Sequence, residues 1–165
     1  MGQTALSKDG KIISVLDFLQ TAANTNRTSE VIDTKGFNSL LLIMKAGSMA
    51  TNADSTVTVQ SSDAASDENT LTTGSDVTDS SQAYADDEDN EVRYWDFVSL
   101  DDTKRYMQVT VTKDTANASD EAIVGILYNA TSQRPTTHGS GNSTVGEGTK
   151  AVTGETYTSA AQGTA

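Results

Sequence analysis

Cysteine is absent from these 165 residues, proline occurs once (Pro135) and histidine once (His138). Without a thiol there is no disulfide framework, no thiolate metal site and no cysteine nucleophile. Aromatic residues make up 5% of the chain and hydrophobic residues 35%. An ordinary domain is roughly 45–50% apolar, so any core here has to be economical. Positive charge is scarce as well: Lys+Arg 11 stand against Asp+Glu 23, a formal net charge of -12. A field of that sign repels phosphate backbones and anionic leaflets, so neither nucleic acid nor membrane is expected as a partner. It suits solubility and contact with a basic protein surface.

Long apolar runs are missing too. Nothing approaches the roughly 18 apolar residues of a membrane span. The opening MGQTALSKDGKII has no apolar stretch after a basic start, so no secretory signal is expected. Met1-Gly2 begins like a myristoylation motif, but Leu6 stands where Ser or Thr is needed. The sequons at Asn26, Asn117, Asn129 and Asn142 read as chance in a chain rich in Ser and Thr.

The chemical motifs are also absent. There is no G-x-S-x-G elbow and no phosphate-binding glycine loop. His138 sits in Thr136-Thr137-His138-Gly139 and reads as a solvated side chain. The acidic run Asp86-Asp87-Glu88-Asp89, with Glu91, has the oxygen ligands a calcium ion wants, but lacks the glycine of an EF-hand loop, and reads as a solvated loop. Asp96, between Trp95 and Phe97, reads as a rim residue pairing with Arg93 or Lys104. Catalytic, cofactor-binding and metal-binding residues are all assigned as none, and no enzyme is expected.

What is present is strand chemistry. The stretch Ile32 to Gly47 holds the most apolar run, Leu40 to Met44, released from the turn Asp33-Thr34-Lys35-Gly36 and closed by Gly47. Five large apolar residues bounded by turn signals predict a buried strand. Thr56 to Gln60 alternates, with Val57 and Val59 on one face. Arg105 to Thr112 alternates again, with Met107, Val109 and Val111 inward and Gln108, Thr110 and Thr112 toward water. Ala122 to Tyr128 predicts a second buried strand, in which Gly125 marks a bulge or a close backbone approach. Val92 to Leu100 is apolar on both faces, which predicts a central strand or one passing between layers. Trp95 is expected to be buried beside the Leu40–Met44 and Ile123–Leu127 strands.

Two segments are harder to read. Lys11 to Gln20 fits both a helical spacing and an irregular strand, and the β neighbours decide for a strand. Ser61 to Asn90 is a long polar interval with one short strand near Leu71 to Thr73, anchored by Leu71, Val77 and Tyr84. Seven or eight short strands without a long helix predict an all-β fold: a single antiparallel β-sandwich, jelly-roll-like domain, with a barrel as the alternative. The expected divisions are an N-terminal arm at 1–10, the sandwich at 11–132 and a Gly/Thr-rich extended C-terminal arm at 133–165. Half of the glycines lie in that arm, and it cannot bury a core of its own. Val145, Val152 and Tyr157 are its large apolar residues, and are the expected interaction anchors on neighbouring subunits.

The order VIDTKGFNSLLLIMKAG, TVTVQSSDAASD, DDTKRYMQVTVT, AIVGILYNA and SQRPTTH resembles the head decoration (cement, or stabilisation) proteins of tailed phages. The matching positions are the turn and strand Asp33 to Leu40, the strand ending in Gln60 to Asp63, the strand from Lys104, and the apolar strand before Arg134-Pro135. The resemblance spans about Val31 to Thr137. It implies a β-sandwich structural protein of the virion, bound to the capsid exterior after assembly in the host cytoplasm. Its implied partners are the major capsid protein and further copies of itself, as homotrimers at local three-fold positions. A tail or baseplate component and a carbohydrate-binding module using Tyr94, Trp95 or Tyr84 are the alternatives.

Overall fold

The computed structural model describes residues 10–21, 24–88, 90–101, 103–113, 118–131 and 139–140. The strand alternation seen in the sequence packs two sheets face to face. The first sheet has the order β10-β4-β12-β1-β13, from β10 (Val92–Val98), β4 (Phe37–Lys45), β12 (Ala118–Ala130), β1 (Lys11–Thr21) and β13 (Gly139–Ser140). The second is built on β11 (Tyr106–Lys113) and β5 (Asp54–Ser62). Short β2 (Arg27–Thr28) and β3 (Ile32–Asp33) both pair with β11, while β8 (Ser75–Asp76) and β9 (Gln82–Ala85) pair with β5. A hairpin of β6 (Ala65–Asp67) and β7 (Thr70–Leu71) stands apart.

From β1 to β12 every connection crosses from one sheet to the other, except the step from β2 to β3, the β5 to β8 and β9 return and the side hairpin before it. Counting β2 with β3 and β8 with β9, the eight strand positions fall in the orders 6-3-8-1 and 2-7-4-5, the double Greek key of a jelly roll. The fold is thus the all-β sandwich expected from the strand pattern. Lys11 to Gln20 is indeed a strand, and Ser61 to Asn90 is more structured than one short strand.

The core lies between the sheets. Leu40, Leu42 and Met44 of β4 meet Val57 and Val59 of β5 and Met107, Val109 and Val111 of β11, with Ile123 and Leu127 of β12. Trp95 is buried opposite Leu42 of β4, the strand that separates it from β12, and its Nε1–H donates to the Ser80 carbonyl at 2.8 Å. Ser80 in turn bonds both backbone groups of Val59 through its hydroxyl, at 3.2 and 3.0 Å. The polar loop before β9 is thereby held against β5. Gly125 is the close approach foreseen: a Cβ there would lie 2.7 Å from Ile13 Cγ1.

Two expectations fail. β10 is the outermost strand of its sheet, with β4 as its neighbour, and is not central. Its second apolar face meets no layer among the described residues. Gln108 shares a face with Thr110 yet is buried, because the β6–β7 hairpin folds over it and its amide donates to the carbonyls of Asn69 and Ser29 at 2.7 and 2.8 Å. Gly139–Ser140, within the expected C-terminal arm, pair with Ile13 and Ser14 of β1 in parallel register. Residues 1–9 and 141–165, with the expected anchors Val145, Val152 and Tyr157, lie outside the described residues, as does His138.

Candidate docking surface

The outward side of the first sheet is assembled row by row from its register. Tyr94, Ile43 and Val124 lie side by side across β10, β4 and β12, and Asp96, Leu41 and Ile126 form the next row, which Ile12 of β1 completes. Val92 and Val98 flank these rows on β10. The relative exposures of 63%, 68% and 65% for Val92, Tyr94 and Val98 make them surface residues, and Val124 is exposed as well. Large apolar side chains scattered singly need no explanation, but a contiguous set on one sheet face marks a contact surface.

The second sheet turns a different chemistry outward. Thr56, Thr58 and Gln60 of β5 and Thr110 and Thr112 of β11 occupy the corresponding positions. Their polar ends find partners at the surface: Thr28 and Thr110 hydroxyls lie 3.4 Å apart, and Gln60 donates to Asp76 at 2.9 Å.

Charge surrounds the apolar face unevenly. Asp96 sits within it and accepts a 2.5 Å hydrogen bond from the Tyr128 hydroxyl, so its partner is neither Arg93 nor Lys104. That bond to a carboxylate raises the Tyr128 pKa above its ordinary value, since it favours the protonated phenol, and burial adds to the effect. Arg93 points inward between Glu88, at 2.6 Å, and Glu91, at 3.2 Å, with its guanidinium 5.6 Å from the Tyr84 ring centre. The acidic segment before β10 uses its carboxylates on the protein itself. Asp86 accepts from the Asn52 N–H at 2.7 Å and Glu88 from the Ala85 N–H at 2.8 Å. Among the described residues no group of three or more acids or histidines is arranged around a metal position.

Two of the sequence motifs meet in space. Asp33, from the turn before β4, forms a two-point ion pair with Arg105 at the start of β11, one contact being Nε to Oδ1 at 2.6 Å and the other Nη2 to Oδ2. Asp33 Oδ1 also accepts from the Lys35 N–H at 3.0 Å, and the Thr34 hydroxyl donates to the Arg105 carbonyl at 2.7 Å. The carboxylate raises the Arg105 pKa further above its ordinary value. Gly36 follows with φ 86, a left-handed position that a side chain would strain. These residues tie the turn before β4 to the start of β11, whose strand is paired with β3 in the second sheet.

A cleft of about 370 Å³ opens at the end of β10, lined by Val77, Phe97, Leu100 and Met107 with Asp101 and Lys104 among its polar groups. Neither of its serines, Ser61 and Ser99, hydrogen-bonds Lys104. For sugar stacking the aromatic supply is short, because Trp95 and Tyr84 are both buried and only Tyr94 of the three is exposed. The two apolar faces of Val92 to Leu100 predict a covered strand, whereas Val92, Tyr94 and Val98 are exposed.

No protein-family model matches the sequence, and no curated protein is similar to it in sequence. Among solved structures, one similar fold belongs to Bacillus endospore appendages, described as a family of disulfide-linked pili. It has 14% identity and a TM-score of 0.41, covering 79% of this chain and 98% of that one. A chain of the infectious bursal disease virus Gt strain is similar at 8% identity and a TM-score of 0.43, covering 74% of this chain and 32% of that one. Dimeric latent PorU from Porphyromonas gingivalis is similar at 9% identity and a TM-score of 0.35, with 73% and 13% covered. All three scores are too low to bear on function. No helix among the described residues is long and apolar enough to cross a membrane.

Proposed function

We propose that this chain is a non-enzymatic structural subunit of a virus particle, a decoration protein. It seats the outer face of the β10-β4-β12-β1 sheet on the outside of a capsid shell and bridges neighbouring shell subunits. One observation carries the reading: a chain with a net charge of -12 leaves Val92, Tyr94, Val98 and Val124 uncovered together on one sheet. An acidic domain holds itself apart from its own kind, so such a face is matched to a different, basic-rimmed surface. The phage-protein resemblance of residues 31–137 agrees in kind. A protein that binds the assembled shell better than free subunits stabilises the shell by mass action, and repeated copies would do so at each subunit boundary.

The test is made on particles. Lysine at Tyr94 and Val124 together should leave the thermal midpoint of the isolated protein within a few degrees and reduce its copies per particle at least about tenfold, since burying each new charge costs over ~1.4 kcal/mol. Undiminished occupancy would overturn the assignment of this face. A copy number far below that of the shell subunits would move the protein to the tail or baseplate.

A further inference from the structure

The docking face ends in an open edge. β10 has β4 on one side and no strand on the other among the described residues. Glu91 stands opposite Ala46 and accepts its N–H at 2.9 Å. Antiparallel ladders alternate, so Arg93, Trp95 and Phe97 carry the bonds to β4. The N–H and C=O groups of Val92, Tyr94, Asp96 and Val98 therefore point outward along the edge. The side chains of the same four residues lie on the docking face.

Natural sheets guard such edges with proline, lysine or a bulge. β10 contains neither residue type, and its register with β4 runs without a shift from Val92 to Val98. Its two charges are both engaged within the chain, Arg93 inward with Glu88 and Glu91 and Asp96 with the Tyr128 hydroxyl. At the opposite edge of the same sheet β13 lies over Ile13 and Ser14 of β1. Left-handed Asn90 and Ser99, with φ 63 and 57, stop the strand at either end.

Charge decides what can pair here. Asp86, Asp87, Glu88 and Glu91 outnumber Arg93 and Lys45 at the start of β10, and Asp101, near Lys104, lies beyond its end. A second copy in antiparallel pairing would bring the same acids to both ends. Resting on the shell-docking reading, we propose that the β10 edge accepts an extended segment of the shell-side protein. That segment has apolar residues at alternate positions, which continue the docking face past Tyr94, and Lys or Arg at its ends, which answer the excess of acids over bases before β10 and Asp101 beyond it.

The probe is a synthetic peptide of alternating valine and threonine with two lysines at each end, added to the full chain. It should shift the amide resonances of Val92, Tyr94, Asp96 and Val98, and its affinity should fall at least about tenfold between about 0.05 M and about 0.5 M salt. A glutamate-flanked version should bind at least about tenfold more weakly. N-methylation of its alternate amides should abolish binding without altering the protein. Tyr94→Pro deletes one edge N–H while keeping the β4 ladder whole, and should do the same. Equal binding by lysine- and glutamate-flanked peptides, or by methylated and plain ones, overturns the proposal. So do shifts of the four amides that follow protein concentration alone, which would mean self-pairing. On particles, full occupancy by wild-type protein in the presence of saturating lysine-flanked peptide sinks the edge proposal and leaves the docking face standing; wild-type protein missing from particles sinks the docking face.

Discussion

The two sheets of the sandwich obey one rule inward and opposite rules outward. Both send Val, Leu, Ile or Met to the core at every second position. Outward, the second sheet shows Thr56, Thr58, Thr110 and Thr112, and the first shows Leu41, Ile43, Tyr94 and Val124. Threonine keeps the β-branched shape that suits a pleated surface and adds a hydroxyl for water. The second sheet is therefore built to stay in solvent. The first has the same backbone and lacks that accommodation, and the proposed docking face rests on that difference.

The sharpest way to break this comparison uses neighbouring residues of one strand. Leu42→Ala removes a fully buried side chain and should cost about 2–5 kcal/mol, whereas Leu41→Ala on the outer face should cost under about 1 kcal/mol in the free protein. Denaturant titration of the two variants gives the difference directly. Equal costs would mean that the outer face is covered in the isolated chain. A middle-sized effect is expected at Gly125, where the inward side of β12 has no room. Gly125→Ala should cost about 1–3 kcal/mol by displacing Ile13, and Ile13→Val in the same chain should recover part of that loss. Additive losses would show that the two residues do not touch in solution.

The smallest effect is a titration on the outer face. The Tyr128 pKa is raised in the fold above its ordinary 10.0, so the folded chain holds this proton more tightly than the unfolded one. The stability it contributes is complete below pH 10.0 and is lost as pH rises through the folded value. Phenolate absorbance should show one tyrosine ionising late, and Asp96→Ala should bring it back to the ordinary range. No change on removing Asp96 would place the hydroxyl elsewhere.

Much of this architecture was legible because alternation is a local property. Thr56 to Gln60 and Arg105 to Thr112 announce which side of a strand is apolar, and the structure agrees for every valine among them. Alternation does not say what covers a face. β10 carries apolar residues on both sides, and such a pattern fits a strand between two layers as well as an edge strand awaiting a partner. Its outer face was therefore visible as residues and invisible as a surface. Gln108 failed in the opposite sense. Its polarity suits water, yet the hairpin at 65–71 covers it, and no local pattern links positions about forty apart. The clamp of Asp33 and Arg105 was present as two separate motifs, and only folding joined them.

The position of β12 has a consequence for how the molecule is made. β12 lies between β1 and β4, bonded to both, yet it is synthesised after every other strand of either sheet except the short β13. Until it emerges, β1 has no partner in its sheet, and the apolar flank of β4 stands open. Pairings that span so much sequence form slowly and leave sticky intermediates on the way. A ribosome that stops early thus yields a chain that can complete neither the core nor the docking face. Only chains translated through β12 can present the proposed docking face, and that makes the late strand a check on the integrity of each copy.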